Sequence, residues 1–245
     1  MKGFLSLLLT DSTAYMLKVA ASLKVLYTKL IHVTCLARAV HRVSEDIRSC
    51  FPNVNAIIST IKKVFLKAPS RIFSFKAALP NTPLPPQPVL TCWDTWLHAA
   101  LYYADHLGDI QKVIQTFNEE QAVAITKANA AISCSSVIAD LAYIKINFGN
   151  LLGAITALEA RDLPLVKAVK IMWGIEETLN QSSGSVGTAI VDKFNKVLQR
   201  NHGWKVMANL LCGNGFSLMP HTFRQFGGFT RQVETRIDCD LETMS

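Results

Sequence analysis

Two short apolar runs near the amino terminus constrain the fold of this chain most. The first runs from Phe4 to Leu9 and leads into a lone carboxylate, Asp11; the second, Leu30 to Cys35, follows about twenty residues later. A stretch with helical periodicity separates them, so the runs predict neighbouring parallel strands joined by a crossover helix. Asp11 would then lie at the carboxyl edge of a strand, where open α/β sheets bind ligands and metals.

Apolar residues at spacings of three and four predict helices along most of the remaining chain. The clearest stripe runs from Val54 to Phe65, with lysines on its opposite face. The predicted helices cover residues 13–27, 36–47, 54–65, 93–110, 116–131, 133–147, 148–161, 164–180 and 190–198. Residues 181–184 are expected to form a loop. Five prolines between residues 80 and 88 forbid a helix there and predict a stiff, extended connector.

These patterns predict a predominantly helical α/β protein with four successive segments. Residues 1–79 form a basic part that contains the two strands, and residues 80–92 form the proline-rich connector. Residues 93–212 form a helical region. Residues 213–245 lose the apolar periodicity and are expected to be a poorly ordered tail.

The positive charge of the chain is concentrated at one end. The whole sequence has 25 Lys and Arg against 18 Asp and Glu, but residues 1–80 hold 12 basic and 3 acidic side chains. The helix predicted over residues 13–27 contributes a basic outer face opposite Met16, Val19, Leu23 and Leu26. Such clustering favours a polyanionic partner, and the alternative is a solvated helical face that only promotes solubility.

Cysteine spacing and hydropathy exclude several classes of protein. The six cysteines form no C-x-x-C pair, so buried free thiols in a reducing compartment are expected rather than a metal knuckle. No window approaches about 20 uncharged apolar residues, which a membrane-spanning helix requires. The most hydrophobic window, residues 128–160, is interrupted by three charged residues and predicts buried helix, so no membrane partner is expected.

Five sequence motifs resemble a known family, the hAT-superfamily DNA transposases. They are LTDSTAYM at residues 9–16, LIHVTCLARAVH at 30–41, FLKAPSR at 65–71, VLTCWDTW at 89–96 and WLHAALYY at 96–103. The resemblance covers residues 4–210, with the motifs in the family's order. It implies an RNase H-like catalytic domain interrupted by a helical insertion, so the expected fold is a partial RNase H-like sheet of two strands followed by an α-helical insertion region.

The resemblance also implies a catalytic chemistry for Asp11. In the family, three carboxylates hold two divalent cations, Mg²⁺ or Mn²⁺, that assist strand transfer. Asp11 matches the second of these carboxylates. The first would precede residue 1, and the third, a helical Glu, has no identifiable counterpart. The expectation is therefore a truncated, transposon-derived remnant in which Asp11 has lost its metal-binding partners, without a cofactor and without catalytic activity.

Two departures from the family motifs touch the expected DNA contacts. Arg38 replaces the histidine of the family's C-x-x-H motif, and Cys92 replaces the arginine before Trp93. The resemblance assigns Trp93 a stacking contact with DNA, whereas Trp96 is expected to be a core residue. The nucleic-acid-binding residues expected on these grounds are Lys18, Lys24, Arg38, Lys62, Lys63, Lys67, Arg71 and Trp93.

The sequence therefore predicts weak, sequence-nonspecific DNA binding by a degenerate or domesticated transposable-element protein. The resemblance implies a nuclear location, and without it the expectation is cytoplasmic. One alternative is a helical protein-interaction module in which residues 93–200 bind another protein. A second is an intact enzyme in which a partner chain supplies the missing carboxylates.

Overall fold

The computed structural model describes residues 6–86, 88, 93–212 and 222–223. It is mostly helical (76%) with a small parallel sheet of two strands, which confirms the predominantly helical α/β prediction. The strands are β1 Ser6–Thr10, β2 Leu30–Thr34, β3 Leu163–Pro164 and β4 Thr222–Phe223. The helices are α1 Ala14–Leu26, α2 Leu36–Cys50, α3 Pro52–Phe65, α4 Pro69–Ala78, α5 Trp93–Gln115, α6 Val123–Ile132, α7 Ser136–Phe148, α8 Asn150–Leu158, α9 Leu165–Asn180, α10 Gly184–Gln199 and α11 His202–Cys212.

Internal contacts divide the chain into two compact units. The first, called the sheet unit here, comprises Met1–Val43, Gly153–Glu177 and Val191–Ser245. The second, the helical unit, comprises Ser44–Leu152 and Thr178–Ile190. These two units do not coincide with the four segments predicted from the sequence. Residues 44–78 belong to the predicted basic part, but they pack with the helices that follow the proline-rich connector.

The sheet unit contains the predicted parallel strand pair. β1 and β2 pair in parallel from Ser6 opposite Leu30 to Thr10 opposite Thr34. Parallel strands require a crossover connection, which α1 provides as predicted from the sequence. Leu8, Ala20 and Leu30 form a small core between the strands and this helix. β3 and β4 form a separate short antiparallel pair.

The α1 helix differs from the amphipathic prediction on its outer surface. Met16, Val19 and Leu23 are half-buried, but Leu26 is 76% exposed. The outer surface also carries large apolar side chains beside the two lysines: Tyr15, Leu17 and Val25. The predicted basic face is therefore a mixed apolar and basic surface.

The helical unit is organised around α3. Pro52 occupies the first turn of α3, where its fixed φ angle and missing N–H group are favourable, so this residue begins a helix rather than interrupting one. The predicted stripe is confirmed, with the six apolar residues Val54, Ile57, Ile58, Ile61, Val64 and Phe65 buried. The ring of Phe65 packs edge-on against Phe75, 5.3 Å away between centroids, and against Phe117.

The long helix α5 supplies the second part of that core. Trp96, Leu97 and Tyr103 are buried, which confirms Trp96 as a core residue. The next predicted helix was expected from residue 116 but begins at Val123. The Asn118 side chain accepts a hydrogen bond from the Glu120 backbone N–H, 2.9 Å away, and this bond supports a short 3₁₀ turn instead.

Two further predictions concern thiols and membrane spans. Cys35, Cys50 and Cys134 are thiols outside any disulfide, and each is half-buried rather than fully buried. In the part of the chain that the structure describes, no single helix is long and apolar enough to cross a membrane. One pair bent by 70°, α6 with α7, reaches the required length and composition together.

Candidate functional site

Asp11 lies where the sequence predicted, immediately after β1 at the carboxyl edge of the sheet. Its Oδ1 atom accepts hydrogen bonds from the Thr13 backbone N–H, at 3.1 Å, and from the Thr13 hydroxyl, at 2.7 Å. These bonds form the turn that leads into α1. The hydroxyl bond lowers the pKa of Asp11 most; burial opposes this effect, while the Thr13 amide and the positive charge of Arg38 reinforce it.

The described residues around Asp11 do not form the carboxylate cluster of a two-cation centre. Magnesium requires several oxygen ligands, so two ions need a cluster of carboxylates. Among residues 6–86, 88 and 93–212, no group of three or more His, Cys, Asp or Glu side chains is placed to hold a metal ion. The charged side chain that acts on Asp11 is a cation, Arg38. The described residues therefore offer Asp11 as a turn-forming carboxylate rather than as one of a set of ligands.

A pocket of about 630 Å³ opens beside Asp11, wholly within the sheet unit. Its polar lining comes from both strand ends, from α2 and from the α10–α11 corner: Ser12, Thr34, Arg42, Lys196, Arg200 and His202. Leu17, Ala39 and Val197 add an apolar wall. None of the described residues that line the pocket is a carboxylate, and Arg42, Lys196 and Arg200 give the lining positive charge. Two carboxylates lie near it: Asp11 is adjacent to Ser12, and the charge of Glu159 acts on Cys35.

One side-chain contact and one backbone contact position cationic residues around this pocket. The guanidinium Nη2 of Arg42 donates to the Ser12 hydroxyl oxygen at 2.6 Å. The backbone N–H of Arg200 donates to the Lys196 carbonyl oxygen at 3.3 Å, so the helical spacing of α10 continues to residue 200. Lys196 and Arg200 are consequently neighbours on one helix face.

The outer edge of β2 is closed by the start of α11. The buried side-chain amide of Asn201 accepts from the Thr34 N–H at 3.0 Å and donates to the Thr34 carbonyl oxygen at 2.9 Å. This amide therefore pairs with the strand as a neighbouring peptide group would. Gly203 then lies against the His32 carbonyl oxygen, at a distance where an added Cβ would come within 1.9 Å of that atom.

A hydrogen bond between Thr10 and His32 links the end of β1 to the middle of β2. The Thr10 Oγ1 and His32 Nε2 atoms are 2.8 Å apart, and the same hydroxyl donates to the Asp11 carbonyl oxygen at 2.7 Å. Since a hydroxyl has one proton, Nε2 must be the donor to Thr10. Burial, and to a smaller extent the charge of Lys24, lower the pKa of His32.

The predicted DNA-contact residues separate into two groups. In the sheet unit, Lys18 and Lys24 are exposed on α1, and Arg38 is exposed near Asp11. In the helical unit, four cations lie at the junction of α3 and α4: Lys62, Lys63, Lys67 and Arg71. The Trp93 side chain lies outside the described residues.

Arg71, which was predicted to contact DNA, forms a hydrogen bond within the chain. Its Nη1 atom donates to the Val64 carbonyl oxygen at 2.7 Å, which satisfies a carbonyl in the last turn of α3. Lys63 and Lys67 are exposed, and Lys67 has a left-handed backbone with φ of 54°. These two lysines are thus available to solvent, whereas Arg71 shares its guanidinium with the backbone.

Charge counts for the two structural units differ from the count along the sequence, which placed the excess of basic residues in residues 1–80. Among the described residues, the sheet unit holds 12 Lys and Arg against 6 Asp and Glu, and the helical unit holds 9 against 8. Lys196, Arg200 and His202 were not expected to contribute to a site. The spacing of Lys196 and Arg200 indicates a shared helix face, but only the fold brings these two residues and His202 to the same pocket as Arg42.

Comparison of the chain with protein-family models, with curated proteins and with solved structures gives no match.

Proposed function

We propose that this chain is a transposon-derived protein of the hAT transposase type that binds DNA without sequence preference and does not itself catalyse strand transfer. The single observation that carries the DNA-binding part is the twofold excess of basic over acidic side chains among the described residues of the sheet unit. A cluster of cations attracts a polyanion because the field depends on local charge density. Support for the transposon origin comes from the sequence motifs, and the parallel β1–α1–β2 arrangement agrees with them.

The proposed lack of catalysis follows from the chemistry of the sheet edge. Strand transfer of the family's type uses carboxylates to hold two divalent cations. In the described part of the sheet unit, the positive charge of Arg38 acts on Asp11, and Arg42 bonds to the adjacent residue, Ser12. Such an edge attracts phosphate directly and repels metal ions, so it suits binding rather than metal-assisted chemistry.

DNA contact would use the exposed lysines of α1 and the α3–α4 junction. Each lysine that neutralises a phosphate releases a condensed counterion, which makes the affinity depend strongly on salt. Such contacts carry no base information, so binding should be similar for duplexes of different sequence.

A salt titration with duplex DNA tests this proposal. For the full chain, affinity is expected to fall steeply between 50 and 200 mM salt, on the order of 10³-fold if about six phosphates are contacted. The double variant Lys18→Gln, Lys24→Gln should lower the slope of log affinity against log salt by about 1 for each phosphate that it no longer neutralises. Lys127→Gln, which removes an exposed lysine outside the predicted set, serves as the control. Affinity that is flat with salt would rule out phosphate contact.

The competing proposal is a protein-interaction module formed by the helical region. The observation that favours it is the surface of α7, where Ile138 and Ile146 are 67% and 79% exposed. Large apolar side chains on a helix surface are typical of a protein-binding face. A chain that binds no duplex at low salt would leave this as the better proposal.

A further inference from the structure

We infer that the pocket at the carboxyl edge of β1 and β2 is a binding site for a phosphate monoester with the dimensions of a mononucleotide. The inference concerns side chains of the sheet unit alone. It depends neither on a transposon origin nor on DNA binding by the exposed lysines. The ligand could be a free nucleotide or the terminal phosphate of a polynucleotide, since both carry the same dianionic group.

The size and lining of the pocket define this class of ligand. A volume of about 630 Å³ lies within the usual range for small-molecule sites, roughly 300–1,000 Å³. Inorganic phosphate would fill only a small part of it. The apolar wall of Leu17, Ala39 and Val197 suits a sugar or base, while the cations suit the phosphate.

Lys196 and Arg200 provide the first argument for an anion. They occupy neighbouring positions on one helix face, and both side chains line the pocket. Like charges at this spacing repel each other and destabilise the helix slightly. An anion seated between them would convert this repulsion into two attractive contacts.

Arg42 provides the second argument because its guanidinium is held in place before any ligand binds. Its Nη2 atom is anchored to Ser12 by the 2.6 Å hydrogen bond. A guanidinium has five N–H donors in a planar fork, so one anchored donor leaves others to bind two phosphate oxygens. Less side-chain entropy is then lost on binding, which favours affinity.

Three helix amino termini and one helix carboxyl terminus, that of α10 at Gln199, lie at the lining of the pocket. Three helices begin at or just after lining residues: α1 after Ser12, α2 directly after Cys35, and α11 at His202. Helix amino termini carry a partial positive charge and favour anions. Asp11, the carboxylate adjacent to Ser12, has its Oδ1 atom bonded to Thr13.

Calorimetric titration of the full chain with adenosine 5′-monophosphate, adenosine and inorganic phosphate tests the inference. The monophosphate is expected to bind at least tenfold more tightly than adenosine. Inorganic phosphate is expected to bind more weakly than the monophosphate. Equal affinity for adenosine and its monophosphate, or no binding of either phosphate compound at millimolar concentration, would overturn the inference.

A single-stranded oligonucleotide with a 5′-phosphate, compared with the same oligonucleotide bearing a 5′-hydroxyl, identifies the source of the ligand. Displacement of the bound monophosphate by the phosphorylated strand alone would assign the site to a polynucleotide end. Displacement by neither strand would assign it to a free nucleotide. Duplex binding in the salt titration is measured separately, so failure of one proposal is distinguishable from failure of the other.

Charge-removing variants locate the binding to this pocket. Lys196→Gln and Arg200→Gln are each expected to weaken monophosphate binding about tenfold, as loss of one charge-assisted hydrogen bond does. Lys205→Gln removes an exposed charge from the same unit but not from the lining, and should change affinity less than twofold. Equal weakening by all three variants would mean that only the overall charge matters, and would contradict a defined site.

Discussion

At the scale of single residues, the polar side chains of β1, β2 and the turn after β1 form hydrogen bonds with defined donors and acceptors. Asp11 accepts two hydrogen bonds from Thr13 and so forms a turn, a role that the same carboxylate would perform in a protein without any metal chemistry. His32 donates from Nε2 to Thr10, which fixes its neutral tautomer. These two residues therefore hold the local backbone at the edge of the sheet that carries the pocket.

We predict that the neutral form of His32 contributes to stability. Its pKa in the folded chain is lowered mainly by burial and also by Lys24. The unfolded chain consequently binds the proton more readily, so this contribution is fully present above pH about 6.5 and is lost as pH falls through the lower, folded pKa. An NMR titration of the His32 ring should give a pKa below 6.5, and Lys24→Gln should raise it. A His32 pKa at or above 6.5 would contradict the prediction.

At the scale of elements, the contact between β2 and α11 defines the sheet unit. α11 was not predicted, because the sequence Asn201-His202-Gly203 is typical of the end of a helix. In the structure Arg200 and Asn201 connect α10 to a new helix, which begins at His202. Asn201 pairs with the strand, His202 lines the pocket, and Gly203 allows close approach to His32.

Gly203→Ala is expected to destabilise the chain strongly. An added Cβ would lie 1.9 Å from the His32 carbonyl oxygen, so α11 or β2 must shift. Overpacking of this kind costs about 1–3 kcal/mol, which a lower midpoint in urea denaturation would report. Gly153→Ala in α8 is the matched control, since no atom lies within 4 Å of its Cβ. It should stabilise by about 0.5–1 kcal/mol because glycine disfavours helix interiors.

Substitution of Asn201 tests its pairing with the strand. Asn201→Ala leaves the partly buried N–H and carbonyl groups of Thr34 without the amide, at a cost of about 2–4 kcal/mol. Asn201→Asp keeps an acceptor for the N–H but faces the carbonyl with a negative charge. The Asp variant should therefore regain stability as pH falls and its carboxyl becomes protonated, whereas the Ala variant should not. Parallel pH profiles for both variants in urea denaturation would refute the pairing.

At the scale of the whole molecule, the sequence predicted individual elements and the pairing of nearby ones better than contacts between distant segments. The strand pair, its crossover helix and the α3 stripe followed from periodicity within short windows, and the structure has all three. The pocket did not follow, because its cations come from α2 and from the α10–α11 corner, more than 150 residues apart in the sequence. Periodicity shows which face of a helix is buried, but it does not show which distant segment covers that face.

The side-chain amide of Asn201 also limits which edge of the two-stranded sheet can pair with a further strand. β2 already has its Thr34 peptide groups engaged by Asn201 and its His32 carbonyl covered by Gly203, while the Leu30 N–H donates to Tyr27. A further strand adding beside β2 would have to displace α11. A further strand, from another part of the chain or from a second molecule, should therefore pair with the sheet alongside β1 and not alongside β2.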